Sequence, residues 1–329
     1  MNRPTATPRS DRRLQAARQW LEASGVELSS AFVPIAGDAS FRRYFRVTAD
    51  GRSRVLMDAA PPAEDVGPFC DISRRLIDAG LKAPNILHAD RKLGFLLLED
   101  LGNTLYRDLL TKQTAGVHFE PLFDVLRDMA VEVDCRGLPS YDAALLQAEL
   151  DLFPDWYLGR HRPRLPRDRF DGVWEPVCRH LLDAALAQPR CFVHRDFHSC
   201  NLLRTPGGQV GIIDFQDAVA GPLSYDLVSL LWDRYISWPR EQLRGWIEAF
   251  RDRLGLDLPP ADWQRCCDLM ALQRNIKVVG IFARLHYRDG KRGYLEMIPR
   301  FYAYLLETLR HYPEFDDFRK LLERETCAP

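Results

Sequence analysis

The chain has 329 residues, 46% of them hydrophobic and 28% charged, a composition that suits one large or two modest globular domains. A net charge of −1 leaves no basic excess for nucleic acid, and no run approaches the roughly 18 apolar residues that a membrane span requires. Residues 1–13 are rich in Pro and Arg without an apolar stretch, so they do not read as a secretory signal. The eight cysteines contain no C-x-x-C pair and read as the free thiols of a cytoplasmic protein.

Asp11 can cap a helix to about Ala23, with Leu14, Ala17 and Leu21 on one face and Gly25 closing it. Strands are predicted over 32–35, 41–47 and 53–58, the last two joined by an Asp50-Gly51 turn. A helix over 65–79 follows, with Phe69, Ile72 and Leu76 inward, and then strands at 86–88 and 94–98. From Asn103 onward helical periodicity dominates, recurring over 118–135, 140–158 and 171–188 and again beyond 224. The expected class is α+β, with a small β-rich lobe over 1–101 and a larger helical lobe over 102–329.

Residues 191–217 carry the chemistry. An apolar run, Phe192-Val193, leads into His194-Arg-Asp196-Phe-His198-Ser-Cys-Asn201, and a second, Ile212-Ile213, leads into Asp214-Phe-Gln216-Asp217. Thr205-Pro-Gly-Gly208 between them reads as a reversal, so the two runs are expected to pair as a hairpin. The spacing H-x-D-x-x-x-x-N followed by I-D-F is that of the protein-kinase-like catalytic core, which makes a bilobal protein-kinase-like fold the expectation. Phosphoryl transfer needs a carboxylate to take the proton of the attacking hydroxyl and hard oxygen ligands for Mg²⁺. Asp196 is therefore read as the base, and Asn201 and Asp214 as metal ligands. A metallophosphoesterase site at His194, Asp196 and His198 would need further His or Asn ligands downstream. The later His286 and His311 stand in no such context.

The small lobe is then read as the ATP site. Gly37-Asp-Ala-Ser40 would fold over the phosphates, with Gly37 and Ser40 as its small residues, although there is neither a G-x-G-x-x-G nor a Walker A sequence. The third strand, Val55-Leu-Met-Asp58, carries no lysine, so Arg42 or Arg43 is the expected replacement. The backbone of Glu99-Asp100-Leu101 reads as an adenine hinge beside a wall of leucines. Gln216 stands where protein kinases have glycine, and the chain then runs straight into a helix capped by Ser224. That leaves no room for a long activation segment and favours a small-molecule acceptor. Asp226 can cap the backbone amides of the catalytic loop. Over 261–300 eight basic residues face four acids, which makes a neutral or anionic substrate more suitable than a polycation. Trp156, Tyr157, Trp232 and Trp238 can stack on a sugar or pack a core.

The segments Gly37–Arg46, Met57–Pro62, Gly94–Gly102, His194–Asn201, Ile212–Leu231 and Met270–Lys277 together resemble the anomeric sugar kinases of bacterial cell-wall recycling, in the aminoglycoside phosphotransferase superfamily. The resemblance spans nearly the whole chain. It implies ATP- and Mg²⁺-dependent phosphorylation of the C1 hydroxyl of N-acetylmuramate and N-acetylglucosamine by a cytoplasmic monomer, with the product passed to a sugar-1-phosphate nucleotidyltransferase. His198, Gln216, Arg274 and Lys277 are the candidate substrate contacts, Arg274 or Lys277 meeting the lactyl carboxylate of N-acetylmuramate. Aminoglycoside, choline and homoserine kinases, and a nucleotide-binding pseudokinase, remain the alternatives.

Overall fold

The computed structural model describes residues 11–35, 42–162 and 167–326. The chain divides into two compact units, one of residues 1–103 with 203–216 and one of 104–202 with 217–329.

In the first unit, helix α1 (Arg12–Ala23) starts where the Asp11 carboxylate accepts the N–H groups of Arg13 and Leu14. Strands β1 (Val33–Ile35), β2 (Arg43–Ala49), β3 (Arg52–Asp58), β4 (Ile86–Asp90) and β5 (Phe95–Glu99) form one antiparallel sheet in the order β1-β2-β3-β5-β4. Asp50 and Gly51, with φ of 49° and 69°, supply the two positive-φ positions of the β2–β3 turn, which a primed hairpin turn demands. Ala17 and Leu21 of α1 pack on Phe45, Val47, Leu56, Phe95 and Leu97, all buried. Each large side chain there contributes roughly 1.5–3 kcal/mol by leaving water. Helix α2 (Gly67–Asp78), between β3 and β4, buries Phe69, Ile72 and Leu76.

The second unit begins with α3 (Tyr106–Leu109), α4 (Ala115–Glu132) and α5 (Ala143–Leu152), which runs directly into a π-helical segment, Phe153–His161. Helix α6 (Arg167–Leu186) and strands β6 (Arg190–Val193) and β9 (Val219–Pro222) follow, then α7 (Tyr225–Leu231) and α8 (Arg240–Leu254); between β6 and β9 in sequence come β7 (Leu202–Arg204) and β8 (Val210–Ile212). The last elements are α9 (Pro260–Tyr287), α10 (Ile298–Leu309) and α11 (Asp316–Thr326). The 28 residues of α9 make an axis about 42 Å long, buried over most of its length from Cys267 to Ala283. Gly280 lets α9 close on the end of α5. A Cβ there would stand 2.4 Å from the Leu152 carbonyl carbon, so no larger residue fits without moving the backbone.

The strand pairing differs from the hairpin expected from sequence. β6 pairs with β9, Val193 facing Val219, and β8 pairs with β7. The reversal at 205–208 closes the shortest loop available, which costs least entropy, and it joins β7 to β8. β6 is left to a partner beyond Asp214. The β7–β8 hairpin belongs with the first unit, where the Ile212 N–H donates to the Lys82 carbonyl at 2.8 Å. Among the described residues no helix is long and apolar enough to cross a membrane.

Candidate active site

The loop after β6 is wound tightly on itself. The N–H of His198 and the Asn201 side-chain amide both donate to the Asp196 carbonyl, at 2.9 and 3.0 Å, and the Asn201 N–H donates to the His198 carbonyl at 2.9 Å. Arg195 is held at φ 74°, a conformation that costs a non-glycine residue roughly 1–2 kcal/mol. Asp226, in the first turn of α7, supplies the clamp: its carboxylate accepts the N–H of His194 at 2.6 Å and of Arg195 at 3.0 Å. The capping role expected for Asp226 is thus seen directly. Burial raises its pKa to about 6, against the pull of His194 and the two amides. On the far side of the loop the Ser199 N–H donates to Asp233.

This winding leaves the Asp196 side chain exposed at the loop surface. Partial desolvation works against its ionisation, but His198, Lys277, His194 and Arg274 outweigh it and hold the carboxyl below the usual aspartate range. His198 moves the other way. Burial, with Arg234 beside it, lowers its pKa. An Arg234 guanidinium nitrogen lies 2.8 Å from His198 Nε2, and a guanidinium can only donate, so Nε2 is an acceptor and the imidazole is neutral with its proton on Nδ1. With His198 neutral, Lys277 and Arg274 remain as permanent cations acting on Asp196.

Behind the loop lies a buried acid that the sequence reading passed over. Glu149 of α5 pairs with Arg195 at 2.6 Å and with Lys277 of α9 at 2.8 Å, and accepts from the Tyr141 hydroxyl. Lys277 also donates to the Tyr225 hydroxyl at 3.0 Å. Burial opposes the charge on Glu149, but the two cations keep its pKa low. One carboxylate thus ties the catalytic loop to α5 and α9. A signal was present in the sequence: Glu149 sits among Leu146, Leu150 and Phe153 on the apolar face of its helix, where an acid needs a partner. The same geometry commits Lys277 to Glu149. Arg274, one turn earlier and only 6% exposed, has no carboxylate within ion-pair distance among the described residues.

Three of the four aromatics proposed for stacking are packed in the core. Trp232 is buried, and Trp238 packs on Phe119 and Trp246. Tyr157 packs on Phe153 and Tyr302, while Trp156 is half-buried.

In the first unit, Asp214 follows β8 with φ 63° and its side chain is exposed. Phe215 anchors the turn against Phe69 of α2, ring centroids 4.7 Å apart, and Gln216 donates to the Asp214 carboxylate at 3.0 Å. Glu99 pairs with Lys82 at 2.6 Å and receives the Asn85 amide. Leu101 is buried, and a Cβ on Gly211 would touch it at 3.0 Å. Arg42 pairs with Glu64 at 2.9 Å, and Arg43 with both Asp58 and Asp11. Both arginines expected to replace the third-strand lysine are thus held by carboxylates of their own unit. Gly37 and Ser40 lie outside the described residues.

Within the second unit the fold therefore gathers Asp196, Asn201, His198, Arg274 and Lys277 around one loop. Within the first it sets Asp214 and Gln216 at the end of one hairpin. Comparison with known proteins identifies the family. A family model described as "Phosphotransferase enzyme family" matches residues 31–269. The chain is 42% identical over 328 residues to an N-acetylmuramate/N-acetylglucosamine kinase of Pseudomonas aeruginosa, covering 95% of this chain and 96% of that one. It is 40% identical to a protein of the same name from Neisseria meningitidis serogroup B, with 93% of each chain covered. Among solved structures, a choline/ethanolamine kinase family protein from Mesorhizobium loti superposes with a TM-score of 0.64 at 18% identity, over 95% of this chain and 99% of that one. An ADP-bound aminoglycoside phosphotransferase, APH(2'')-Ib, does so with a TM-score of 0.58 at 14% identity, over 88% and 96%. The fold is α+β and protein-kinase-like, and the chain belongs to the phosphotransferase enzyme family.

Proposed function

We propose that this chain is a sugar kinase that transfers the γ-phosphoryl group of ATP to the anomeric C1 hydroxyl of N-acetylmuramate and N-acetylglucosamine. The support for the sugars is the shared name of two relatives at 42% and 40% identity over nearly full length. The support for C1 is the resemblance of the segments quoted above to anomeric sugar kinases, and the electrostatics of Asp196 are compatible with it. A carboxylate held below its usual pKa is a weak base, and a weak base best serves an acidic hydroxyl. The anomeric O–H is the most acidic hydroxyl of a free sugar.

In this reading Asp196 orients the C1 hydroxyl and takes its proton as the phosphorus–oxygen bond forms, while ADP leaves. Asp226 and Glu149 keep Asp196 in place through Arg195. Asn201 and Asp214 offer an amide oxygen and a carboxylate, the hard donors that Mg²⁺ takes, and they would hold it; when bound, it neutralises charge on the phosphate oxygens. Among the described residues no group of three or more His, Cys, Asp or Glu side chains could hold a metal ion, so phosphate oxygens and water would complete its shell. The backbone at Glu99 and Leu101 would receive the adenine. The sugar 1-phosphate would feed a nucleotidyltransferase in the recycling of cell-wall sugars in the cytoplasm.

The test is ATP consumption with N-acetylglucosamine, N-acetylmuramate and the methyl glycoside of N-acetylglucosamine, with products read by ³¹P NMR. Turnover of both free sugars to an acid-labile 1-phosphate, and none of the glycoside, is expected. Phosphorylation of the glycoside would rule out C1.

A further inference from the structure

Among the described residues of the second unit, half-buried Arg195 and buried Lys277 are matched by Glu149, and half-buried Arg240 by Asp268. Arg274 is not. Among the described residues its side chain reaches only the Trp232 carbonyl, at 3.5 Å, the limit of a useful contact. Two more guanidinium groups gather on the same turn of chain. Arg234 donates to His198 Nε2, and Arg300 donates to the Arg234 carbonyl at 2.5 Å. Among the described residues neither has a carboxylate within 4 Å. Asp233 is buried and already accepts the N–H groups of Ser199 and Tyr235. The Nδ1 of His198, the protonated nitrogen by the argument above, is buried without a partner among the described residues.

Burying a charge without a counter-ion costs heavily, which is why buried cations are nearly always paired. A guanidinium 6% exposed beside the 194–201 loop is suited to an anionic partner, and its planar fork matches a carboxylate. Arg274 acts on the Asp196 carboxyl electrostatically yet lies beyond ion-pair range of it. That arrangement leaves Asp196 for a hydroxyl and Arg274 for a carboxylate of the same substrate. Of the two acceptor sugars proposed above, N-acetylmuramate carries such a group on its lactyl ether and N-acetylglucosamine does not.

We propose that Arg274, supported by Arg234, binds the carboxylate of the acidic sugar and sets the preference between the two acceptors. The proposal rests on the sugar-kinase reading. Lys277, the other candidate for this role, is excluded from it by its bond to Glu149 and serves to position the loop.

The experiment compares kcat/KM for N-acetylmuramate, its neutral lactyl amide and N-acetylglucosamine, in the wild type, Arg274→Met and Arg274→Lys. Arg274→Met should change the N-acetylmuramate to N-acetylglucosamine ratio by about 10- to 100-fold, mostly through KM, as loss of a charge-assisted pair does. Arg274→Lys should recover part of that ratio. The neutral amide should follow N-acetylglucosamine in all three proteins. An equal loss on all three substrates would assign Arg274 to the transferred phosphoryl group and overturn the proposal, as would an unchanged ratio. A wild type inactive on both sugars would instead defeat the sugar-kinase reading itself. If Arg274→Met does not fold, the ratio in Arg274→Lys, which keeps the charge but not the fork, decides in the same way.

Discussion

The arginines of β2 and those around the catalytic loop look alike in sequence and differ in what surrounds them. In the first unit Arg42 meets Glu64, Arg43 meets Asp58 and Asp11, and Arg46 meets Asp100. The Asp58 carboxylate, 1% exposed, serves Arg13 as well. In the second unit Arg274, Arg234 and Arg300 cluster without a carboxylate within reach among the described residues. A cation whose charge is balanced within the fold is part of the scaffold. A buried cation whose charge is not balanced is destabilising on its own account, so its place is explained by something that binds there.

The comparison can be broken at four points, taken from the largest expected effect. Asp196→Asn should lower kcat by about 10³-fold, within the range for loss of a general base, with the dissociation constant of ATP unchanged. Steady-state kinetics and nucleotide titration check this; loss of ATP binding would make Asp196 structural. Next, Glu149→Gln leaves Arg195 and Lys277 without their acid, turning balanced cations into unbalanced ones. It should cost about 3–5 kcal/mol in urea unfolding, partly recovered when Lys277→Met is added.

Third comes Asp226. Its folded pKa of about 6 stands above the ordinary 3.8, so folding favours its protonated form. This contribution is fully present below about pH 4 and is lost as pH rises through about 6, about 3 kcal/mol in all. Between about pH 4 and pH 7 the wild type should therefore lose about 3 kcal/mol of unfolding free energy relative to Asp226→Asn, which does not titrate. The charged carboxylate is also what clamps His194 and Arg195. The acidic limb of kcat should then fall near pH 6 rather than at the lowered pKa of Asp196. Smallest is the pair Arg43→Met and Arg274→Met. The first should cost about 1 kcal/mol, since Arg43 is 41% exposed and solvent screens its ion pairs. The second should leave the thermal midpoint unchanged or raised. A large loss of stability in Arg274→Met would mean that its charge is balanced after all.

What the amino-acid order settled by itself is local. The cap at Asp11, the two positive-φ positions of the Asp50-Gly51 turn, the apolar face of α2 and the order of strands and helices all follow from contacts a few residues apart. The compact loop over 194–201 was legible for the same reason: Asp196 and Asn201 are held by hydrogen bonds inside one short loop. What only the tertiary structure decided is who answers whom over long separations. β6 chose β9 over β8, Glu149 reached across to Lys277, and Asp58 took Arg43 while among the described residues no acid took Arg274. A side chain's charge is written in the sequence, but whether that charge is neutralised depends on which distant groups the packed backbone brings within a few ångströms. That pairing separates a structural arginine from one that waits for a ligand.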